Sequence, residues 1–329
     1  GRPALEVQGD GSWTRYEYDL HGRVVKEVTP WLDGDETSGE SNPVVTTYDY
    51  TCLDSRETPK MGDLSWRKKE KKIAGIWAGT DYRAYFTAAS GDEVEIVEHA
   101  ADATAGYGAG GNRQTQKWLH GGQDGDYRAY KPRVVVQTDG RVTSYAYEQG
   151  EYAGGGAGIG TFTPATNGIH VRITETPDSL GQVPFKSVRN VRVVDEWGNE
   201  VQTEDWVCTG SDQYERMDWQ TFSRDGFGRE LVRRYANGLA TETTWNCCGK
   251  ESETRPDGQR ESYVPDLLGR TVLTLKEDGP TNGVVYDAAG KVLGKTLSGG
   301  GLSLATSNRY DLAGRLVESW DAAGLSTTI

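Results

Sequence analysis

Cysteine is scarce, at four in 329 residues. Cys52, Cys208, Cys247 and Cys248 form no Cys-x-x-Cys pair, and none has a histidine at zinc-ligand spacing. A structural zinc site is therefore not encoded. Cys52 and Cys208 would bridge only in an exported chain, and the count alone does not fix the compartment. A vicinal disulfide at Cys247-Cys248 would be strained, so thiols are expected there. Histidine is equally sparse: His21, His99, His120 and His170 are scattered without metal-ligand spacing. Only 35% of residues are hydrophobic and the mean hydropathy is −0.67. Thick globular cores are usually built from about 45–50% apolar residues on a count that includes glycine. No long stretch carries a 3.6-residue apolar period, which argues against helices. Basic residues are the minority charge, 36 against 49 acidic, for a net charge of −13 and a pI near 4.9. That balance excludes nucleic acid as the main partner, because phosphate binding needs a basic footprint. One basic run, Arg67-Lys68-Lys69-Glu70-Lys71-Lys72, reads as a solvated strand edge or loop.

What is plentiful is glycine, tyrosine and tryptophan, at 43, 17 and 10 residues. They fall into a recurring unit. Tyr310-Asp311-Leu-Ala-Gly314-Arg315 states it in full, and Tyr286-Asp287-Ala-Ala-Gly290-Lys291 repeats it with a basic swap. Asp266-Leu-Leu-Gly269-Arg270, Asn246-Cys-Cys-Gly249-Lys250 and Asp225-Gly-Phe-Gly228-Arg229 are weaker copies. From position 225 the Asp/Asn steps are 21, 20, 21 and 24. Another full copy, Tyr18-Asp19-Leu-His-Gly22-Arg23, lies near the start. A fixed period of this size means stacked supersecondary units. In Asp-x-x-Gly the carboxylate accepts backbone N–H groups of its own turn, and the glycine tolerates the positive φ at the exit. Asp10-Gly11, Asn237-Gly238, Asp257-Gly258 and Asp278-Gly279 follow the turn glycines by eight or nine residues. Such dipeptides favour tight primed hairpin turns. One unit is thus turn, strand, tight turn, strand, with strands of roughly 7 residues, or about 23 Å. The predicted fold is all-β, an array of antiparallel hairpins forming an open or spiralling sheet, a partial β-shell. Strand faces such as Thr271, Leu273, Leu275 against Val272, Thr274, Lys276 are mixed, as a thin sheet wet on both sides would be. The aromatics suit strand packing and cross-strand pairs.

These residues resemble the RHS/YD-repeat family: bacterial Rhs and wall-associated polymorphic toxins, shell-forming toxin-complex subunits and teneurins. The family repeat reads Tyr-Asp-x-x-Gly-Arg-(Leu/Val), as Tyr18 to Val24 and Tyr310 to Leu316 do. The likeness covers 1–30 as one repeat and 219–329 as tandem repeats. Residues 31–218 read as degenerate repeats with loop insertions, including an acidic polar stretch over 31–45 and glycine-rich stretches over 104–114 and 150–168. Asp195-Glu-Trp-Gly198-Asn199 is a partial copy there. Both ends fall inside the repeat cycle, so the chain is expected to be one piece of a longer array. Each end strand should then lack a neighbour and invite pairing with another chain.

No catalytic signature stands out. Gly156-Ala-Gly-Ile-Gly160 is followed by Thr161-Phe-Thr-Pro164 rather than a helix, so it lacks the N–H groups that a phosphate loop needs. The repeat's marked residues are all explained by turns: Tyr18, Asp19, Gly22, Arg23, Asp225, Gly228, Arg229, Asn246, Gly249, Asp266, Gly269, Arg270, Tyr286, Asp287, Gly290, Tyr310, Asp311, Gly314 and Arg315. No catalytic, metal or cofactor site is expected. The resemblance implies a secreted or cell-surface shell segment that encloses or displays a C-terminal effector. Its partners would be neighbouring repeats, an enclosed effector domain or a surface glycan. In some family members self-cleavage uses an aspartyl site around an Asp-Pro motif, and this sequence contains no Asp-Pro. Two alternatives remain open. A glycan-binding or adhesion module would show a cluster of exposed aromatics. A carbohydrate-active enzyme would show a cleft with two close carboxylates.

Overall fold

The computed structural model describes residues 2–8, 12–31, 43–57, 65–122, 126–154, 158–178, 186–210, 213–247, 249–311 and 313–328. Asp10-Gly11, Gly156, Cys248 and most of the acidic stretch over 31–45 lie outside them. The described residues contain no helix and 25 strands. In chain order these are β1 (Leu5–Val7), β2 (Trp13–Tyr18), β3 (Val24–Thr29), β4 (Val44–Asp49), β5 (Lys68–Ile73), β6 (Ile76–Thr87), β7 (Glu93–His99), β8 (Arg113–Leu119) and β9 (Pro132–Val136). They continue as β10 (Val142–Ala153), β11 (Thr161–Pro164), β12 (His170–Asp178), β13 (Val188–Val194), β14 (Glu200–Gly210), β15 (Gln213–Arg224), β16 (Glu230–Tyr235) and β17 (Ala240–Asn246). The last are β18 (Gly249–Thr254), β19 (Arg260–Pro265), β20 (Thr271–Lys276), β21 (Thr281–Tyr286), β22 (Val292–Gly299), β23 (Leu302–Tyr310), β24 (Leu316–Trp320) and β25 (Ser326–Thr328).

The chain divides into two compact units. One comprises Gly1–Phe86, Ile96–Gln114 and Tyr263–Ile329, and the other Thr87–Glu95 and Thr115–Ser262. In the first, β1 to β6 form one antiparallel meander and β20 to β25 another. Its core is thin. Trp13, Val28 and Val45 meet across β2, β3 and β4, and Thr80, Tyr82, Ala84 and Phe86 alternate inward along β6. The basic run is neither edge nor loop. Arg67 is buried, and β5 is paired on both sides, with β4 and β6. The lysines are tolerated because Glu70 sits between Lys68 and Lys72, 3.2 Å from each, and Lys69 lies over the Tyr48 ring.

In the second unit β8, β9 and β10 pair in turn. Strand β10 then pairs with β12, while β11 returns as a short hairpin on its distal end. From β12 to β19 each strand pairs with the next. The inward residues here include Gln202, Thr221, Thr243, Ser252 and Glu261 beside Ile173, Val193 and Cys208. Buried positions carried by polar ladders explain how so lean a composition folds. The hydroxyl of buried Ser252 meets that of Thr244, an exposed residue on the facing strand, at 2.8 Å. Cys52 and Cys208 carry thiols, so the bridge considered for them is not formed.

The turns recur with one geometry. The first Asp N–H donates to the carbonyl of the residue four on, and the Gly N–H donates back to the Asp carbonyl. Asp19, Asp195, Asp225, Asp266, Asp287, Asp311 and Asp321 all do this, at 2.8–3.1 Å. The glycines at these seven turns have φ of 74–89°. This is a type I turn followed by a left-handed residue, the three-residue hairpin loop with a bulge. The register accordingly shifts at the residue before the Asp, as at Tyr18, Val194, Arg224, Tyr286 and Tyr310. Two of the Asn-Gly and Asp-Gly dipeptides depart from the primed turns expected. Asn237-Gly238 and Asp257-Gly258 adopt the same three-residue loop, closed by Tyr235 N to Leu239 O and Arg255 N to Gln259 O. Their Asx oxygens accept Leu239 N and Gln259 N at 3.0 Å, a local bond that a two-residue loop would not provide. The Asn246 copy differs in the opposite sense: Asn246 pairs directly with Gly249 across the Cys247-Cys248 link.

Candidate functional site

The feature that repeats with its chemistry intact is a clasp built on each turn. Asp19 Oδ1 accepts His21 N at 2.9 Å and Arg23 N at 2.8 Å. Asp266 does the same with Leu268 and Arg270, and Asp225 with Phe227 and Arg229. Asp287 accepts Lys291 N at 2.7 Å, and Asp311 accepts Arg315 N at 2.8 Å. The expectation that each carboxylate caps its own turn therefore holds. The second carboxylate oxygen takes the arginine side chain. Nε to Oδ2 distances are 2.7, 2.7, 2.7 and 2.9 Å at Arg23, Arg229, Arg270 and Arg315. At Asp19, Asp225 and Asp266 the carboxyl group is held below the ordinary carboxylate range. At Asp266 the Arg270 side chain is the leading cause. At Asp19 and Asp225 desolvation pushes upward, and the turn N–H and arginine bonds outweigh it.

The arginine then reaches the next turn. Arg270 Nη1 donates to the Asp287 carbonyl at 2.8 Å, and Arg229 Nη1 to the Asn246 carbonyl at 3.2 Å. Each cation also covers the next aromatic ring: Arg2 over Tyr18, Arg23 over Tyr50, Arg229 over Trp245, Arg270 over Tyr286 and Lys291 over Tyr310. The charge-to-centroid distances are 5.9, 4.3, 5.4, 4.9 and 5.8 Å. These are cation–π distances. The aromatic in turn donates to the carbonyl of the residue following that cation. Tyr18 Oη bonds Pro3 O, Tyr50 Oη bonds Val24 O and Tyr310 Oη bonds Val292 O, at 2.8–3.0 Å. Trp245 Nε1 bonds Glu230 O at 2.7 Å. Arg224, standing where the motif has tyrosine, donates Nε and Nη2 to the equivalent carbonyl of Glu200. The turn glycine leaves the corridor open. A Cβ at Gly314 would meet Lys291 Nζ at 2.5 Å, and one at Gly22 would meet the Arg2 guanidinium at 3.3 Å. Both neighbours are ends of flexible side chains that can shift, so it is the positive φ of 77° and 74° that calls for glycine there.

The capping aspartates stand at the turns their spacing predicts, the Asn246 copy forms a different turn, and the traffic between turns was not read from the sequence. The signal was present as spacing: Arg2 to Tyr18, Arg229 to Trp245 and Arg270 to Tyr286 are each 16 residues apart. Lys131 to Tyr147 has that spacing too, and the structure places Lys131 over the Tyr147 ring with Tyr147 Oη on Pro132 O at 2.9 Å. In the first unit Arg315 lies 4.2 Å from the centroid of Trp31, joining an early and a late repeat. Two buried carboxylates also escaped notice. Glu57 binds Arg67 Nε at 2.5 Å and accepts Leu53 and Asp54 N–H groups. Glu98 accepts Gly108 N at 2.7 Å and the side-chain amides of Asn112 and Gln114, fastening the loop that follows β7. Both anchor loops. Large apolar side chains stand exposed at several turn tips, Leu20, Trp197, Phe227 and Leu267 among them. Among the described residues no group of His, Cys, Asp or Glu could hold a metal ion, and no helix is long and apolar enough to cross a membrane.

No family model matches the chain, and no curated protein matches it. Solved structures do. The Tc holotoxin pore of Photorhabdus luminescens is similar at 11% identity and a TM-score of 0.42, over 95% of this chain and 18% of that one. TcdB2-TccC3 without its hypervariable C-terminal region is similar at 12% identity and a TM-score of 0.44, over 99% of this chain and 18% of that one. TcdB2-TccC3-TEV is similar at 12% identity and a TM-score of 0.36, over 100% of this chain and 16% of that one. The chain thus spans less than a fifth of the length of these structures.

Proposed function

We propose that this chain is a non-catalytic structural segment of an RHS/YD-repeat shell, secreted or displayed at a cell surface, that encloses or presents a C-terminal effector. The clasp carries this reading. A wall that must enclose volume cannot rely on a thick apolar core, because one face looks inward on the cargo and the other outward on water. Here Arg229 and Arg270 each bond their own turn's carboxylate, the next turn's carbonyl and the next ring, and Arg23 bonds the carboxylate and covers the ring. Each added hairpin brings its own fastening, so length grows without a growing core. The aspartate, arginine and aromatic positions of the repeat take part in this fastening, which supports a structural role. The partners on this reading are neighbouring repeats and an enclosed domain.

The test uses the natural gene product, read on both sides of residues 1–329. A protease site is inserted in the segment that follows the repeats, and cleavage is compared between the native protein and Arg270→Ala with Tyr286→Ala. Containment predicts slow cleavage in the native protein and at least ten-fold faster cleavage in the variant. Equal, rapid cleavage of both, or a gene with nothing beyond the repeats, refutes the reading. A second reading, glycan binding, is favoured by Trp197 and Phe227, 78% and 85% exposed on turn tips of the second unit. Retention on a glycan panel lost in Trp197→Ala would support it instead.

A further inference from the structure

The hairpin of β22 and β23 carries a long run of exposed residues in the first unit. Every residue from Lys295 to Ser307 is exposed, on both faces. It turns at Gly300-Gly301, with φ of 60° and 80°, the two-residue primed turn that only glycine-like residues accept readily. The register pairs Gly299 with Leu302, Leu297 with Leu304 and Lys295 with Thr306. Leu297, Leu302 and Leu304 therefore share one face, at 39%, 75% and 52% exposure. The inner edge of β22 is covered by β21 as far as Ser298. The outer edge of β23 is covered by β24 only over Ser307–Tyr310. The outer edge of Leu302–Thr306 thus has no strand beside it among the described residues.

In a two-residue hairpin the closing pair is hydrogen-bonded and the pairs alternate from there. Leu302, Leu304 and Thr306 consequently turn their backbone groups toward β22. Ser303 and Ala305 turn theirs outward, into the notch beyond the end of β24. The segment Leu-Ser-Leu-Ala-Thr carries no charge, proline or bulge, the devices that normally guard an edge.

We infer that this notch pairs with the same notch of a second copy of the chain, antiparallel about Leu304. The fit is set by length and register. The notch is five residues long, bounded by Trp320 opposite Ser307 at one end and the Gly300-Gly301 turn at the other. A second copy offers a strand of the same five residues, which ends at its own glycine turn near Trp320, where the first copy's β24 ends. With Leu304 opposite Leu304, Ser303 faces Ala305 of the other copy and Ala305 faces its Ser303. These are the residues with outward donors and acceptors, so about four N–H···O bonds form. Leu304 falls in a non-hydrogen-bonded pair, where Cα atoms approach to about 4.5 Å and side chains pack most closely. The two-fold axis stands perpendicular to the sheet, so the leucine faces of both hairpins merge on one side. This is an isologous contact by strand addition. It goes beyond the shell reading and does not depend on it.

Two measurements on the full chain test it. Leu304→Cys should cross-link under mild oxidation, since about 4.5 Å lies within disulfide range. Leu302→Cys should stay at the wild-type level, because four residues of offset separate the two copies by roughly 14 Å. The native thiols are common to all three proteins and set the baseline. Independently, Ser303→Pro removes an outward N–H not used within the hairpin, and should weaken dimerisation by at least ten-fold in sedimentation equilibrium. Leu304→Lys, at an exposed position, should do the same by opposing two ammonium groups, and serves if the proline variant fails to fold. A chain that stays monomeric at all concentrations, cross-linking at 302 as efficient as at 304, or unchanged dimerisation in Ser303→Pro and Leu304→Lys overturns the inference. Binding of a foreign extended peptide to a strictly monomeric chain overturns it as well.

Discussion

Tyr50 and Arg23 allow the clasp to be dissected. Tyr50 does two separable things: its hydroxyl bonds the Val24 carbonyl at 2.8 Å, and its ring lies 4.3 Å from the Arg23 guanidinium carbon. Tyr50→Phe deletes the first and keeps the second, and should cost about 1 kcal/mol, the usual net value of a half-buried neutral hydrogen bond. Tyr50→Leu deletes both, adding about 0.5–1 kcal/mol for a partly exposed cation–π contact. The decisive quantity is the coupling to Arg23→Gln in a double-mutant cycle. Against Tyr50→Leu it should be about 0.5–1 kcal/mol, and against Tyr50→Phe close to zero, because the hydroxyl does not touch Arg23. Urea unfolding monitored by tryptophan fluorescence gives the four stabilities. In a body of roughly 150–250 residues each kcal/mol moves Tm by about 2–4 °C, so the effect is resolvable. Hydrogen exchange supplies a local readout: Arg23→Gln should speed exchange around Tyr50 as well as in its own turn. Coupling of equal size for Leu and Phe, or none for either, would show that the cation and ring are mere neighbours.

The carboxylates give a pH signature. Asp19, Asp225 and Asp266 are held below their unfolded pKa, so the unfolded chain binds more protons as pH drops toward the carboxylate range. Their stabilisation is full above the unfolded value, about 3.9, and is lost as pH falls through the folded values; unfolding midpoints should drop below about pH 4 and stay flat from 6 to 8. Asp54, held to about 2 chiefly by the Arg56 side chain, should be the last of these to protonate, and carboxyl NMR titration would show it. Breaking the buried Glu57–Arg67 pair by Arg67→Met should cost about 3–5 kcal/mol, because Glu57 is left buried without its cation. A loss below 1 kcal/mol in urea unfolding would mean that water reaches Glu57. Gly314→Ala should destabilise by about 1–3 kcal/mol through its φ of 77°, whereas Gly79→Ala, with open space around it and no positive φ, should cost less than 1 kcal/mol.

The sequence by itself determined the turns, and through them the all-β class and the hairpin period. The reason is range. An Asp-x-x-Gly turn is satisfied within five residues: carboxylate, two N–H groups, and a glycine that accepts positive φ. Such chemistry is local and survives any tertiary context, which is why Asp19, Asp225, Asp266, Asp287 and Asp311 cap as their spacing predicts. Loop type was less legible, since Asn-Gly suits both a primed turn and the bulged loop that Asn237-Gly238 adopts, and strand register decides between them. Only the tertiary structure decided what lies between turns. That Arg270 reaches the Asp287 carbonyl, that Arg224 stands in for a tyrosine, and that a run of lysines forms a doubly paired strand all depend on which strands lie side by side. So does the open edge at Leu302–Thr306, where β24 stops short of its neighbour. Pairing partners are fixed by contacts tens of residues apart, and no single segment contains the information that selects them.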